Sequence, residues 1–408
     1  MNKSTSTSNI AISQLNVLSL LDFCKGLAIV WVVLFHYQPE WFGWQGVHVF
    51  IVLSGFGLTY SCLKKPGNIA WKQWYVRRSE RILPLYWLVS ISGFLIMLCL
   101  YLFTKDIAAN GITSTKNLIL NIFLLRNLSI KTIFSPPNDP LWFIPLIVGF
   151  YLVFPWLYHL ILKYKTFRSR LVILLAILAI EFMYRVLSIY YLDGAPVGYE
   201  QHLLHGLSIS PLKPLNNIPD TFFLFPFQLQ APFGLFPSRI AEFMLGMLGA
   251  SLLVQNSQKF HNIFLNYRIG LVGVLIWVAG CSLIFTGLWG WIFADFLIAL
   301  GLILWIVNLA GIFQQRFSFL FRKISQLGIW SYYIFLSHGI FVYLFLERQP
   351  TLIGGANSLS LSFLKKILAL VILIILTWGY SWVLIKFDQS KFPKLIIQKT
   401  IARVCQSR

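Results

Sequence analysis

Between Leu21 and Tyr37 the chain reads LDFCKGLAIVWVVLFHY, an apolar stretch that holds an acid, Asp22, a base, Lys25, and an imidazole, His36. Inside a membrane-length segment each ionisable group costs about 2.5–3.5 kcal/mol even on the most lenient insertion scale. Three of them together point to chemistry rather than packing. An α-helix turns about 100° and rises about 1.5 Å per residue. Lys25 and His36 therefore fall on one face, roughly 16 Å apart along the axis, about half the hydrocarbon thickness. A cation near one membrane surface and a deeper imidazole on the same stripe read as two ends of a polar channel. The competing reading is a snorkelling lysine and a histidine hydrogen-bonded between helices. Asp22 stands three residues before Lys25, so it can pair with the ammonium and orient it.

Other ionisable groups recur at depth. The stretch GVHVFIVLSGFGLTYS carries His48 near its outer end and Ser54-Gly55-Phe56-Gly57 near its middle. Small residues let helices approach closely, so packing is the expected role of SGFG, with Ser54 a candidate support and His48 a candidate ligand or proton partner. The segment WYVRRSERILPLYW sets Arg77, Arg78 and Arg81 just before an apolar run, with Pro84 in its first turn. Juxtamembrane arginines commonly mark the cytoplasmic side. Arg78 and Arg81, three apart, also form a fork suited to phosphate, and spacing leaves both readings open. In SRIAEFMLGMLGA, Arg239 and Glu242 share a helix face and are expected to form a structural pair. His338 in WSYYIFLSH falls near mid-bilayer, whereas Asp295 stands isolated, without an evident partner. The five cysteines are scattered with no metal-ligand spacing, so no metal site is expected.

Helices must position these groups, and the composition supplies them. The chain is 58% hydrophobic, 17% aromatic and 11% charged, against about 25% charged for a soluble domain. We expect an all-α polytopic membrane protein with about ten transmembrane helices, near 18–37, 44–63, 82–103, 141–162, 171–192, 236–255, 269–287, 289–310, 328–346 and 363–385. Residues 1–16 are expected to form a flexible cytoplasmic N-terminus, 17–386 the membrane domain and 387–408 a basic cytoplasmic tail. The first apolar stretch lacks a small-residue cleavage site and is expected to be retained as a helix. An even number of spans puts both termini on one side. About two thirds of the 33 lysines and arginines fall on the connections that share that side, which makes it the cytoplasm. The net charge of +20 thus sits in short connections and not on a soluble basic face, which argues against a nucleic-acid partner. Two outer connections are long: 104–140, with SPPNDP, and 193–235, with His202 and His205. Each reads either as a lid over a site or as ordinary interfacial packing. No internal repeat is evident, which weighs against inverted-repeat transporters.

Taken in order, these motifs resemble the membrane-bound acyltransferase 3 family. The resemblance rests on Asp22-x-x-Lys25-Gly26-Leu27-Ala28 with His36, GVHVFIVLSGFGL, RRSERILPLYW, LWFIPLIVGFYLVFP with Trp142, SRIAEFMLGM and SYYIFLSH. It covers nearly the whole chain. Two departures stand out. Lys25 replaces the family's arginine, keeping charge but losing the bidentate fork. Ile147 and Val148 stand where many members carry a glutamate. The extracytoplasmic hydrolase-like domain of some members is also not expected here, so a donated acyl group would pass directly to an acceptor or to a separate protein.

The resemblance implies an O-acyltransferase in a cell membrane, most simply a bacterial cytoplasmic membrane. It would move an acyl group, by expectation acetyl, from cytoplasmic acyl-CoA to a hydroxyl of a cell-surface glycan or other carbohydrate. Such a hydroxyl needs a base within hydrogen-bond reach. His36 is the expected base or nucleophile, assisted by Asp22 and Lys25. Lys25, Arg78 and Arg81 would meet the phosphates of the donor. His48, Ser54, Trp142, Arg239, Glu242 and His338 are the supporting candidates. Acetyl-CoA enters as a substrate, with no permanently bound cofactor, and the oligomeric state is left open. The alternative is a transporter or exporter of a small solute or polysaccharide precursor, with the same polar stripe lining its path.

Overall fold

The structure is a computed structural model that describes residues 5–37, 43–65, 67–104, 107–128, 130–190, 231–286, 289–347, 359–390 and Leu395. His202 and His205, and with them most of the second long connection, lie outside the described residues. No strand occurs among the described residues, and ten of their helices are long and apolar enough to cross a membrane. The chain is an all-α, multi-pass membrane protein.

The helices are α1 (Thr5–Tyr37), α2 (Gly46–Leu63), α3 (Trp71–Thr104), α4 (Ile107–Ile122), α5 (Ile130–Ile133), α6 (Phe143–Lys163) and α7 (Phe167–Tyr190). After residue 230 follow α8 (Ile240–Gln255), α9 (Ser257–Phe264), α10 (Tyr267–Ile284), α11 (Trp291–Arg316), α12 (Ser318–Val342) and α13 (Leu359–Gln389). Two boundaries differ from the hydropathy reading. Helix α3 begins at Trp71, so Arg77, Arg78 and Arg81 ride on its first turns and not on a loop. No glycine or proline interrupts residues 71–83, and hydropathy marks where a helix is apolar, not where it starts. Likewise α11 and α12 are separated by Phe317 alone, where a longer connection was expected.

Within the first long connection, α4 packs on α3. Tyr86 donates to Asn121 Oδ1 (3.3 Å) and Trp87 Nε1 to the Ile122 carbonyl (3.1 Å). Ser114 and Asn121 are buried, while Ile112 and Ile119 are exposed. That inside-out pattern suits a helix whose outer neighbour is hydrocarbon.

The chain divides into two compact units. The first comprises Met1–Phe35, Glu40–Gly67 and Leu152–Ser331. Its core includes Leu20, Phe23, Val49, Ala294, Ile298 and Leu302. Helices α2 and α8 touch backbone to backbone: a Cβ on Gly55 would strike the Phe243 carbonyl, and one on Gly246 the Val52 carbonyl. This is the close packing that the SGFG stretch announces. The second unit comprises His36–Pro39, Asn68–Tyr151 and Tyr332–Arg408. It is tied by polar bonds between helices: Tyr332 Oη to the Ile82 carbonyl (2.8 Å), Tyr380 Oη to Ser92 Oγ (3.0 Å) and Ser337 Oγ with Ser381 Oγ (2.8 Å).

Candidate functional site

In the second unit the last turn of α1 brings His36 against His338 of α12, with ring centroids 5.1 Å apart and planes tilted by 49°. His338 is fully buried. Its Nδ1 lies 3.1 Å from the Ile334 carbonyl one helical turn earlier. A carbonyl only accepts, so Nδ1 carries the hydrogen, and in the neutral ring the lone pair is left on Nε2. That Nε2 is buried and has no hydrogen-bond partner among the described residues. His36 is half-buried and therefore the more accessible ring.

A polar knot stands beside His338. Arg126, wholly buried, donates to the carbonyls of Ile133 (2.8 Å), Asn138 (3.2 Å) and Ser135 (3.4 Å). Burial pulls its pKa down from the ordinary guanidinium value, and Tyr86 and Asp139 oppose that shift. The loop it gathers carries Asn138, whose Nδ2 donates to the Leu336 carbonyl (2.8 Å). A Cβ on Gly339 would strike Asn138 Oδ1, so the asparagine is wedged against the turn that holds His338. Trp142 ends a short 3-10 turn, Asp139–Trp142, and its carbonyl accepts from Asn127 Nδ2 (2.8 Å).

The arginine segment lies in the same unit. Arg78 is half-buried with its guanidinium over the Trp74 ring, 5.5 Å from the centroid, while Arg77 and Arg81 are exposed. Tyr151 of α6 lies within electrostatic reach of Arg78 and Arg81, and Tyr332 within reach of Arg81. Tyr333 Oη donates to Asp388 Oδ2 (2.7 Å), which adds a carboxylate to this basic corner.

In the first unit, Lys25 Nζ meets Asp22 Oδ1 at 3.1 Å, with the two side chains 36% and 30% exposed. Exposure at that level limits the pair to at most about 1 kcal/mol. Ser54 is half-buried on α2. The deeper polar feature of this unit is a buried ion cluster. His48 Nδ1 lies 2.9 Å from Glu242 Oε2 and 3.1 Å from Arg239 Nη1. The nitrogen cannot donate to the one and accept from the other at once. The shorter contact, to a carboxylate, assigns it as donor. His48 Nε2 faces Asp295 Oδ1 at 3.7 Å, and Asp295 Oδ2 takes Arg185 Nη2 at 2.8 Å and Arg239 Nη2 at 3.4 Å. Arg239 and Glu242 pair at 3.6 Å, as their spacing suggests. Arg185 also donates to the carbonyls of Trp291 (2.7 Å) and Ser238 (2.8 Å). Glu181 stands 3.6 Å from Arg185, and its Oε2 accepts from the Ala241 backbone nitrogen (2.7 Å) at the positive end of α8. All six side chains are at most 3% exposed.

The cluster corrects one expectation: Asp295 is not isolated, since it meets two guanidiniums and an imidazole. The sequence reading also passed over Glu181 and Arg185, although an acid and a base at i,i+4 inside an apolar helix are a legible signal. Arg126 and Asn138 were missed for another reason. Their bonds are to backbone carbonyls within an irregular loop, which no spacing rule encodes. Of the candidate residues, the second unit holds His36, Arg78, Arg81, Trp142 and His338, and the first holds Asp22, Lys25, His48, Ser54, Arg239 and Glu242.

Comparison with known proteins bears on this arrangement. The profile of a family described as "Acyltransferase domain" matches residues 18–386. The "Putative peptidoglycan O-acetyltransferase YrhL" of Bacillus subtilis (strain 168) is 26% identical over 171 residues, 39% of this chain and 26% of that protein. In Staphylococcus aureus, the "Putative O-acetyltransferase SACOL0978" of strain COL and the "Putative O-acetyltransferase SA0834" of strain N315 are each 33% identical over 69 residues. Those segments are 16% of this chain and 11% of each relative, so the matches span about a quarter or less of these relatives' lengths. No solved structure matches the chain.

Proposed function

The chain belongs to the acyltransferase family whose profile covers residues 18–386, and from that membership we propose that it is a membrane O-acyltransferase using acyl-CoA as donor. The acyl group is acetyl, and the acceptor is a hydroxyl of a cell-surface glycan, a class that includes the peptidoglycan of the Bacillus relative's name. The protein works in a bacterial cytoplasmic membrane with both termini in the cytoplasm, a placement supported by the distribution of basic residues.

The observation that carries this reading is the pair of imidazoles, His36 and His338, in a helical unit that also presents Arg78 and Arg81. Thioester-to-alcohol transfer needs little else. The acceptor O–H proton goes to an imidazole, the oxygen bonds the acyl carbon, the C–S bond breaks, and the thiolate leaves to be protonated. His36 acts as that base or first carries the acyl group itself. Arg78 and Arg81 bind the donor's phosphates, for which a guanidinium is the best-fitted side chain. Asp22 keeps Lys25 oriented, and the lysine adds to the positive field that draws an anionic donor.

The experiment is thioester turnover by purified protein in detergent or liposomes with labelled acetyl-CoA. Release of free thiol with label passed to a hydroxyl acceptor is expected. A folded, membrane-extracted protein that neither binds acetyl-CoA nor consumes it would defeat the proposal.

A further inference from the structure

The two imidazoles are not equivalent, and the difference divides the chemistry between them. His338 is locked. Its Nδ1 hydrogen is committed to the Ile334 carbonyl at 3.1 Å, which fixes both the tautomer and the ring plane. Its helical turn is held from the side, because Asn138 Nδ2 donates to the Leu336 carbonyl and the asparagine fills the space beside Gly339. Asn138 is itself set by Arg126, which clasps the carbonyls of residues 133, 135 and 138. The product of this scaffolding is a single buried lone pair on Nε2, with no partner among the described residues. A fixed, desolvated imidazole lone pair suits taking a proton from a hydroxyl laid against it. His36, by contrast, is half-buried in the last turn of its helix and is the more exposed of the two rings.

We propose that His338 Nε2 is the general base for the acceptor hydroxyl and that His36 receives the acyl group, a division that rests on the acyl-transfer reading above. In the first step a His36 nitrogen lone pair attacks the thioester carbon, the N–C bond forms and the C–S bond breaks. The thiolate leaves and takes the proton that the acylated ring gives up. In the second step the acceptor hydroxyl gives its proton to His338 Nε2 while its oxygen bonds the acyl carbon. The C–N bond breaks, and the proton on His338 returns to the released His36 ring. Two touching imidazoles hold at most one extra proton comfortably, since like charges this close repel. The return of that proton therefore resets the pair. Asn138 and Arg126 are positioning residues for this base.

The test compares two acceptors with acetyl-CoA as donor. Glycerol offers ordinary hydroxyls that need a base; hydroxylamine attacks an acyl group without one. In His338→Asn the amide nitrogen takes the place of Nδ1 and keeps the bond to Ile334, while Nε2 is gone. This variant should lose about 10²–10⁴-fold of transfer to glycerol and keep transfer to hydroxylamine within a few-fold. His36→Gln should lose both. Asn138→Ala should follow His338→Asn in pattern, with a smaller loss for glycerol only. Equal loss of both acceptors in a well-folded His338→Asn protein, or undiminished transfer to glycerol, would overturn the assignment. Wild-type protein that turns over acetyl-CoA with neither acceptor would instead defeat the acyl-transfer reading, and the base would fall with it.

Discussion

His36 and His338 lie ring against ring, 5.1 Å between centroids, although they come from opposite ends of the chain. Each helix taken alone leaves its histidine open to a packing role. A histidine on an apolar face is most simply a satisfied interhelical donor. What separates this pair from that case is the imbalance of its bonds: His338 satisfies one nitrogen on its own backbone and leaves the other, buried, without a partner among the described residues.

The first prediction follows from needing that pair neutral. Acyl transfer should fall on the acid side, because a proton on either ring removes a base or a nucleophile. His36→Ala should lower turnover by about 10²–10⁴-fold, with donor affinity little changed. A rate profile measured with saturating acetyl-CoA, at pH values where the wild-type fold is intact, tests both statements. An activity that rises on acidification would contradict them.

Arg78 and Arg81 support a second prediction, on binding. Each charge-assisted phosphate contact is among the stronger polar interactions, so Arg78→Ala and Arg81→Ala should raise the KM for acetyl-CoA about 10-fold or more while kcat changes less. Arg78→Lys should recover only part of the loss, because an ammonium lacks the fork and stacks less well on Trp74. Raised salt should weaken the wild-type protein more than either alanine variant. Unchanged donor affinity in both variants would return these arginines to a purely topological role.

Much of this was legible in the sequence, for reasons that can be named. Hydropathy finds membrane helices because hydrocarbon forbids unsatisfied backbone, and all ten expected spans have counterparts among the described helices. Motif residues such as His36, His338, Arg239 and Glu242 stand out because ionisable groups are costly at depth. What the sequence withheld is pairing in space. Asp295 looked solitary because its partners Arg185 and Arg239 lie on other helices. Gly328 is a further case. A Cβ there would strike the Asp22 carbonyl, so a glycine in α12 decides how closely it meets the start of the DFCKG stretch in α1. No pattern local to either helix announces that contact.

Topology gives a third prediction. With basic residues concentrated on one set of connections, a reporter fused after Ser407 should read cytoplasmic and one inserted within residues 200–215 should read external. Lys25→Arg, which restores the guanidinium of the family pattern, should leave both reporters and turnover near wild type, whereas Lys25→Glu should depress turnover. Both reporters on the same side would refute the ten-span arrangement.

The last prediction concerns the buried cluster, where the expected effect is on stability. Glu181, Glu242 and Asp295 are three carboxylates held by two guanidiniums and an imidazole, all at most 3% exposed. Replacing Arg185 with Met removes the 2.8 Å bond to Asp295 and both carbonyl contacts, and takes away the cation 3.6 Å from Glu181. Breaking one member of a buried charged set in this way costs about 3–5 kcal/mol, chiefly through the orphaned charge. Glu181→Gln alone should cost far less, since its amide oxygen can still accept from the Ala241 N–H that starts α8. In the Arg185→Met background the same change should be stabilising, because the amide keeps the Ala241 bond without the cost of a buried carboxyl, ionised or protonated, that has lost its partner. Thermal unfolding in detergent of the two single variants and the double variant measures this coupling directly. A double variant no more stable than Arg185→Met would mean that the 3.6 Å contact between Glu181 and Arg185 contributes nothing, and that the Asp295 pair and the carbonyl bonds of Arg185 carry the whole effect.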